Sequence, residues 1–262
     1  MNERRKVQRI EIKIPVRVVV KELGDRFFAG TIVNIGADGI GLVLNTFLPQ
    51  GTKILLNFEL QEGKKQENVP GLVTRSFEVE DKFFSAVTFN SLSQEKAREI
   101  SVYTGSVLFL KTIKPFSTLN DEESWYIRKI CSEVYFKAGQ SIFEEGSEGK
   151  ALYIVINGKV NIIKKNLQGK TEVLATLKEG DFFGEIALLD HGFRSASAVA
   201  SEHASLFMVT RDDFKKTLSN NNLLSLKLLW LFIGILTRRL RASDEVMVDM
   251  LYAGKKEKER NG

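Results

Sequence analysis

Apolar and polar positions divide the chain into two β-rich blocks, each followed by helical segments. In the first block, short runs rich in Val, Ile, Phe and Thr are separated by glycine-containing turns, which is the pattern of short strands. The predicted strands cover residues 11–20, 27–34, 40–44, 53–60, 72–77 and 83–89. Many short strands with regular turn signals favour a β-barrel.

The segments that follow predict helices and a second β-rich block. Residues 93–103 predict a helix with Ser93 as its cap and Glu95 in its first turn. The other predicted segments are a junction at 105–115, a short helix at 119–131, the second β-rich block at 135–209, and helices at 212–218 and 223–252. The chain is therefore predicted to form a β-barrel, a linker, a second β-barrel and a long terminal helix.

Apolar residues of the terminal helix recur at helical spacing. They are Leu226, Leu229, Ile233, Leu236, Leu240, Val246 or Met247, and Met250, with further apolar surface at Leu223, Trp230, Phe232 and Ile235. This is more apolar surface than the helix would bury by packing on one barrel. The excess predicts a partner helix, and therefore a homodimer. The alternative is that the helix folds back on its own barrel.

Length and charge limit the class of protein. A chain of 262 residues suits two domains, and its 38 basic and 33 acidic residues leave a mild excess of +5. That excess fits a protein that binds phosphorylated small molecules, whereas binding to nucleic acid or membrane usually requires a concentrated basic patch. Cys131 is the sole cysteine, which excludes an internal disulfide and agrees with a reducing cytoplasm.

The sequence predicts neither a membrane anchor nor a secretory signal. The most apolar stretch, residues 223–236, contains Ser225 and Lys227 and is shorter than the roughly 20 residues that span a bilayer. The N-terminus is charged and lacks the apolar core of a secretory signal. We therefore expect a cytoplasmic protein with no membrane partner.

Residues suited to catalysis are few. The histidines are His191 and His203, and Cys131 stands alone, so the sequence offers neither a metal-ligand cluster nor a nucleophile paired with a base. A P-loop is also missing from the sequence. We therefore expect a protein that is not an enzyme and has no metal or cofactor.

Residues 183–199, F-G-E-I-A-L-L-D-H-G-F-R-S-A-S-A-V, carry the strongest functional signal. Gly184 opens a turn whose unpaired amides favour an anion, and its missing Cβ permits close approach of a ligand. The Arg194 guanidinium can bind a phosphate through two parallel hydrogen bonds. Glu185 would repel a phosphate, so its expected partner is a pair of hydroxyls, such as a ribose edge, or a cationic side chain.

This stretch resembles the phosphate-binding cassette of the cyclic nucleotide-binding domain family, F-G-E-x-A-L-L followed by P-R-x-A-T/S. The matching residues are Phe183, Gly184, Glu185, Ala187, Leu188, Leu189, Arg194, Ala196 and Ser197, with Phe193 where proline is usual. Upstream motifs match in the same order at residues 139–143, 145–146, 152–155 and 158–160. The resemblance covers residues 115–251 and implies a jelly-roll-like β-roll with a long C-terminal helix, as in the catabolite activator family.

The resemblance also implies roles for individual residues. Glu185 would bind the ribose 2′-hydroxyl, and Arg194 would bind the cyclic phosphate. The residues that would assist around the phosphate are Gly184, Ile186, Ala187 and Ser195. Ser243 and Asp244, on the long helix, would lie near the base, and we expect cyclic AMP to be favoured over cyclic GMP. The alternative is that Glu185 and Arg194 pair with each other in an empty pocket.

The first block contains a second set of motifs. Residues 4–9 read R-R-K-V-Q-R, and residues 34–39 read N-I-G-A-D-G. Over residues 4–103 the chain resembles the PilZ family, whose motifs are R-x-x-x-R and D/N-x-S-x-x-G and whose six-stranded barrel binds cyclic di-GMP. The residues implied as ligands are Arg4, Arg5, Arg9, Asn34, Gly36 and Gly39. Because Gly36 replaces the family's serine, a hydroxyl partner is lost, and a barrel that binds nothing specific is the alternative.

Together the resemblances predict four segments along the chain. These are a PilZ domain at 1–105, a linker at 106–118, a cyclic nucleotide-binding domain with its dimerisation helix at 119–253, and a charged tail at 254–262. Only about ten residues follow Tyr252, so a DNA-reading module is not expected. The expected function is a bacterial second-messenger receptor that signals to an unidentified protein effector. The alternative is a cyclic mononucleotide sensor whose PilZ barrel is only a docking module.

Overall fold

A computed structural model describes residues 8–61, 63–114, 116–166, 168–186, 192–220 and 222–260. The described chain divides into two units, one ending at Arg211 and the other beginning at Asp212. The first unit contains a closed barrel, two four-stranded sheets and helices between and beside them, and the second unit is helical. The mainly β fold expected from the sequence is confirmed.

The first six strands form a closed barrel because β1 pairs with both β2 and β4. The strands are β1 Arg9–Val20, β2 Arg26–Gly36, β3 Gly39–Leu44, β4 Lys53–Gln61, β5 Lys64–Val79 and β6 Lys82–Phe89. They pair in the order β1-β2-β3-β6-β5-β4. In β1, every second residue from Ile10 to Val20 is buried, so aliphatic side chains fill the barrel and polar ones face outward.

Helix α1, Gln94–Thr112, packs against the core of this barrel and runs past the end predicted at Tyr103. Its cap is Ser93, as predicted, whose side chain accepts a hydrogen bond from the Lys96 amide. Gly105 disfavours a helix here, but Val107 is fully buried, and such burial outweighs a propensity cost of about 1 kcal/mol. The prediction of a linker across residues 106–112 was therefore wrong.

Helix α2, Asp121–Lys129, is anchored on the first barrel. Asn120 and Glu123 form a capping box at its start, with hydrogen bonds of 2.8 and 2.9 Å. The Asp121 carboxylate accepts a hydrogen bond of 2.8 Å from the amide of Glu11 in β1, and Trp125 joins the barrel core. This helix thus packs with the first barrel, although the sequence assigned it to the second domain.

The second β-rich region consists of two antiparallel sheets that enclose a common core. Its strands are β7 Ser132–Phe136, β8 Ser141–Phe143, β9 Ala151–Asn157, β10 Val160–Lys165, β11 Thr171–Leu177, β12 Phe182–Phe183, β13 Ser197–Ala200 and β14 Ala204–Thr210. One sheet has the order β11-β10-β13-β8, and the other has the order β12-β9-β14-β7. The core between them includes Val155, Val160, Phe183, Ala198 and Leu206. This is the β-roll that the sequence predicted.

Arg128, near the end of α2, connects the barrel region to the β-roll. Its buried guanidinium donates Nε to Ser106 Oγ (2.6 Å) and Nη1 to the carbonyl of Cys131 (3.1 Å). Its Cζ atom lies 4.9 Å from the ring centre of Tyr103 in α1 and 4.8 Å from that of Phe207 in β14. A single cationic side chain therefore contacts an aromatic ring of α1, which packs with the barrel core, and an aromatic ring of the β-roll.

The second unit contains two helices, α3 (Arg211–Asn220) and α4 (Asn222–Arg260). The first residue of α3, Arg211, is the last residue of the first unit. The rings of Phe214 and Phe232 hold these helices together in an edge-to-face contact, 5.4 Å apart and at 87°. Helix α4 continues to Arg260, through most of the segment predicted as a charged tail at 254–262. In the part of the chain that is described, we find no helix with the length and apolar character needed to cross a bilayer.

Candidate functional site

Arg194 and Glu185 are both buried beside the turn that follows β12. Arg194 is 5% exposed and Glu185 is 0% exposed. Arg194 donates Nη1 to the carbonyl of Gly184 (2.9 Å) and Nη2 to the carbonyl of Ala151 in β9 (2.6 Å). Backbone carbonyls from two parts of the β-roll therefore hold the guanidinium within the predicted cassette.

Gly184 is required at this turn for two reasons. Its φ of +81° lies in the left-handed region, which a residue with a Cβ rarely adopts. A Cβ built on Gly184 would also overlap Arg194 Nη1 and lie 3.1 Å from the carbonyl oxygen of Ala151. The Arg194 guanidinium occupies the space that a side chain at position 184 would fill. The observed position of the arginine therefore depends on the glycine.

The backbone of Arg194 is fixed by an upstream turn. The Arg194 amide donates to the carbonyl of Ser147, and the Gly146 amide donates to the carbonyl of Arg194, each at 2.8 Å. Ser197 Oγ accepts a hydrogen bond of 2.8 Å from the amide of Glu145. The Glu145-Gly146 motif noted in the sequence is therefore the segment that positions the arginine half of the cassette.

Three aromatic rings form an apolar wall against the guanidinium. Phe143, Tyr153 and Phe183 are in mutual contact, with ring centres 5.3 to 5.9 Å apart. Arg194 Cζ lies 4.0 Å from the ring centre of Phe143 and 5.9 Å from that of Tyr153. Such stacking suits a planar, weakly hydrated cation. We did not predict Phe143 or Tyr153 as site residues, although both lie in the upstream motifs that we matched.

Burial lowers the pKa of Arg194 because it removes water from the guanidinium. Electrostatic interactions with Tyr153 and Glu185 raise the pKa of Arg194, whereas the nearby charge of Arg211 lowers it further. The pKa of Tyr153 is raised by its own burial. Arg194 Nε has no hydrogen-bond partner among the described residues. The site therefore holds a desolvated cation with an unused donor, in electrostatic contact with a buried carboxylate.

The other residues predicted for this site occupy different settings. Ile186 and Ser195 are exposed beside the buried pair. Ala187 lies outside the described residues. Ser243 and Asp244 are exposed on α4. The structure thus brings Gly184, Glu185, Ile186, Arg194 and Ser195 to one region of the β-roll.

The second predicted site lies where β1 meets the β2–β3 hairpin. Arg9 donates Nη1 to Asn34 Oδ1 and forms an ion pair with Asp38 Oδ1, each at 3.3 Å. A Cβ on Gly36 would lie 2.8 Å from Arg9 Cγ, so the serine-to-glycine departure leaves room for the arginine stem. We did not predict Asp38 as a contact because it occupies an unspecified position of the motif.

Gly39 completes this hairpin for a steric reason. A Cβ on Gly39 would overlap the carbonyl oxygen of Val87 and lie 3.0 Å from Thr88 Cα. Strand β6 can therefore pair this closely with β3 only because position 39 has no side chain. The structure therefore groups Arg9, Asn34, Gly36 and Gly39. Arg4 and Arg5 lie outside the described residues.

Protein-family models match both halves of the chain. The model described as PilZ domain matches residues 3–105. The model described as cyclic nucleotide-binding domain matches residues 133–221. The second match contains the buried pair Glu185 and Arg194, and the first contains the hairpin around Asn34.

Several characterised proteins are similar to the second half. The chain is 40% identical over 109 residues to the cyclic AMP receptor protein of Thermus thermophilus, covering 42% of this chain and 49% of that protein. It is 30% identical over 126 residues to a CRP-like cAMP-activated global transcriptional regulator of Mycobacterium tuberculosis, covering 48% and 54%. The crystal structure of the Thermus thermophilus catabolite activator protein has 36% identity and a TM-score of 0.47, covering 52% and 62%.

The chain spans about half the length, or less, of the curated relatives that it matches. The family matches nevertheless cover the two regions in which the predicted motifs fold together. Residues 3–105 of this chain are therefore a PilZ domain, and residues 133–221 are a cyclic nucleotide-binding domain.

Proposed function

We propose that this protein is a cytoplasmic, non-enzymatic receptor for two second messengers. A cyclic mononucleotide, cyclic AMP in preference to cyclic GMP, binds in the β-roll, and cyclic di-GMP binds at the PilZ hairpin. Binding changes the conformation of the protein, and a protein partner detects that change. The two domains predicted from the sequence remain part of this proposal, but the boundary between them moves, because α1 and α2 are now grouped with the first barrel.

The buried guanidinium of Arg194 is the observation that carries the first half of the proposal. A desolvated cation and an unsatisfied buried donor are both costly, and an unmade hydrogen bond costs about 1–3 kcal/mol. The cyclic phosphate of a nucleotide supplies an acceptor for this donor and adds a negative charge next to the guanidinium. Arg194 Nε and the remaining guanidinium N–H groups are the donors assigned to that phosphate.

Glu185 gives the site its preference for a ribose phosphate over a simple anion. A buried carboxylate repels inorganic phosphate, whereas it accepts hydrogen bonds readily from a neutral hydroxyl. Because Glu185 follows Gly184 directly, its carboxylate and the guanidinium belong to one site. We assign Glu185 to the ribose 2′-hydroxyl, with Ser195 and the backbone from Gly184 to Ala187 beside the phosphate. Ser243 and Asp244 are assigned to the base.

Calorimetry tests this assignment directly. We expect ligand-stripped protein to bind cyclic AMP at micromolar or tighter affinity, cyclic GMP more weakly, and linear AMP weakest of the three. Linear AMP is the matched control, since it keeps the base and ribose but lacks the cyclic phosphate. A folded protein that binds none of these nucleotides, or that binds linear and cyclic AMP equally, would contradict the proposal.

Gly184→Ala is expected to weaken cyclic AMP binding at least about tenfold, equivalent to roughly 1.4 kcal/mol. The added methyl group must displace the Arg194 guanidinium, and the positive φ adds strain of about 1–2 kcal/mol. Calorimetry measures the affinity, and thermal unfolding measures the strain. The control is Gly180→Ala, which has φ +83° and nothing within 4 Å of its Cβ. Equal affinity losses in the two variants would assign the effect to strain alone.

The hairpin contacts support cyclic di-GMP as the second ligand. Arg9 is already positioned across the β2–β3 turn by Asn34 and Asp38, so a ligand phosphate would replace Asp38 as its anionic partner. Arg4, Arg5, Gly36 and Gly39 belong to the same assignment. Arg9→Ala is the variant that tests it, read by calorimetry with cyclic di-GMP.

The alternative keeps only the cyclic mononucleotide and makes the PilZ domain a docking module. Its support is Gly36, which lacks the family's hydroxyl and whose space is taken by the Arg9 side chain. Wild-type protein that binds cyclic AMP but shows no heat with cyclic di-GMP would favour this alternative.

We assign the homodimer to α4, which has two apolar faces. Leu224, Leu228, Phe232 and Ile235 are buried, whereas Leu226, Trp230, Ile233 and Leu240 are exposed. Leu226, Ile233 and Leu240 recur at the seven-residue spacing of a coiled-coil seam. An exposed apolar face of this kind marks a site of association.

Ile233→Glu is expected to raise the dimer dissociation constant at least about 100-fold, because a carboxylate would be buried in an apolar seam. Size-exclusion chromatography with light scattering measures the change. Arg238→Glu is the control, since it places the same carboxylate on an exposed position of α4 away from the seam. Wild-type protein that stays monomeric at high concentration would contradict the dimer.

A further inference from the structure

An aromatic surface adjoins the Asn34 hairpin on the outer wall of the barrel. Register across the strands places Asn34 of β2 opposite Gly41 of β3, and Gly41 opposite Ala86 of β6. Phe84 lies two residues before Ala86 and therefore projects from the same face of β6. Phe77 of β5 is its cross-strand partner.

Gly41 brings the amide and the aromatic ring together. A Cβ on Gly41 would lie 2.5 Å from Asn34 Nδ2 and 2.8 Å from Phe84 Cε2. The carboxamide and the ring edge thus share the space above one glycine, so any side chain at position 41 would separate them. Nothing in the sequence motifs of this domain had marked Gly41 or Phe84.

Phe77 and Arg75 extend this surface away from the hairpin. The rings of Phe77 and Phe84 are tilted by 34° with centres 5.1 Å apart, and Phe77 remains 46% exposed. Arg75 Cζ lies 5.9 Å from the ring centre of Phe77. At the opposite end, Arg9 donates to Asn34. The outer wall therefore presents an amide and two neighbouring aromatic rings, with Arg9 beside the amide and Arg75 beside Phe77.

This set of groups suits a purine nucleotide, and guanine is the base of the proposed ligand. A planar base stacks on an aromatic ring, its edge forms hydrogen bonds with a carboxamide, and its phosphates pair with arginine. We propose that Phe84, supported by Phe77, is the stacking platform for a guanine base of the ligand at the Arg9–Asn34 hairpin. This inference rests on the proposed binding of cyclic di-GMP. It adds that the aromatic rings of Phe84 and Phe77 bind the base of the ligand by stacking.

Phe84→Leu is expected to weaken cyclic di-GMP binding at least about tenfold, and Phe84→Trp to retain it, because tryptophan preserves the aromatic face. Phe77→Leu should have a smaller effect in the same direction. The control is Phe27→Leu, which removes a ring that is 61% exposed and lies 4.1 Å from Arg17 Cζ elsewhere on the barrel. Calorimetry measures affinity, and thermal unfolding confirms that each variant is folded.

A spectroscopic readout separates stacking from a merely structural role of the ring. In Phe84→Trp, saturating cyclic di-GMP should quench tryptophan fluorescence more strongly than in wild type, whose tryptophans are Trp125 and Trp230. If Arg9→Ala abolishes binding while Phe84→Leu binds like wild type, the platform is wrong and the hairpin site stands. If wild-type protein does not bind cyclic di-GMP, both the platform and the proposed ligand are wrong.

Discussion

Arg194→Ala is expected to weaken cyclic AMP binding at least about 100-fold. Hydrogen bonds to charged groups contribute about 1.5–3 kcal/mol each, so the loss of two on the phosphate exceeds the roughly 2.7 kcal/mol that 100-fold requires. The effect is large because the guanidinium is buried against Phe143, where little water can replace it. Calorimetry with cyclic AMP measures the loss.

Folding of the Arg194→Ala variant should be nearly preserved. The substitution removes the hydrogen bonds to Gly184 and Ala151, but it also removes the cost of burying a cation. These opposing effects lead us to expect a change of no more than about 2 kcal/mol in the free energy of unfolding of ligand-free protein. Chemical denaturation checks this value.

Two further variants make the Arg194 result specific. Arg194→Lys keeps the charge but loses the planar fork, so we expect an intermediate affinity. Lys159→Ala removes an exposed cation of the same β-roll, paired with Glu202 at 3.3 Å, and should leave the affinity unchanged. Cyclic AMP binding by folded Arg194→Ala at wild-type affinity would exclude this arginine from the site.

Arg128→Ala is expected to lower the free energy of unfolding by about 3 kcal/mol and to uncouple the two ligands. The buried guanidinium has hydrogen bonds to Ser106 and Cys131 and lies against Tyr103 and Phe207. Hydrogen bonds to charged groups contribute about 1.5–3 kcal/mol each, and their loss leaves buried polar groups unsatisfied. Chemical denaturation measures the stability, with exposed Arg26→Ala as the control.

The uncoupling is measured by the affinity for each ligand in the presence of the other. Typical allosteric coupling of 1–3 kcal/mol changes an affinity about 5–150-fold, and the change must be reciprocal. In the wild type, we expect saturating cyclic di-GMP to change the cyclic AMP dissociation constant by about 5–150-fold. In Arg128→Ala, we expect the same addition to change it by less than about twofold. A folded Arg128→Ala protein that retains the wild-type shift would show that the signal follows another route.

Local motifs were predictable because their residues are neighbours in the chain. Gly184, Glu185 and Arg194 lie within one short segment, and their chemistry indicates an anion and a sugar without knowledge of the fold. The same holds for Asn34 to Gly39, which form a single hairpin. Strand positions were also close to the observed ones, because inward and outward residues alternate in β1.

Contacts between distant segments could not be predicted. Phe143 and Tyr153 reach Arg194 from β8 and β9, and only the sheet pairing brings them together. The extension of α1 beyond Tyr103 was missed because Gly105 and its neighbours have low helix propensity, which burial of Val107 overrides. Nothing local to Phe84 indicated its place beside Asn34, since Gly41 mediates that contact across strands.

The amino-acid sequence alone determined the two β-rich domains, their families and the charged pair at positions 185 and 194, because alternation, glycine turns and contiguous motifs are local properties of a chain. Tertiary structure alone decided that Arg194 is desolvated against an aromatic wall, that Arg128 joins the two domains, and that α2 packs on the first barrel. The physical reason is that burial and cross-strand contact depend on which distant segments pack together, which a single sequence does not record.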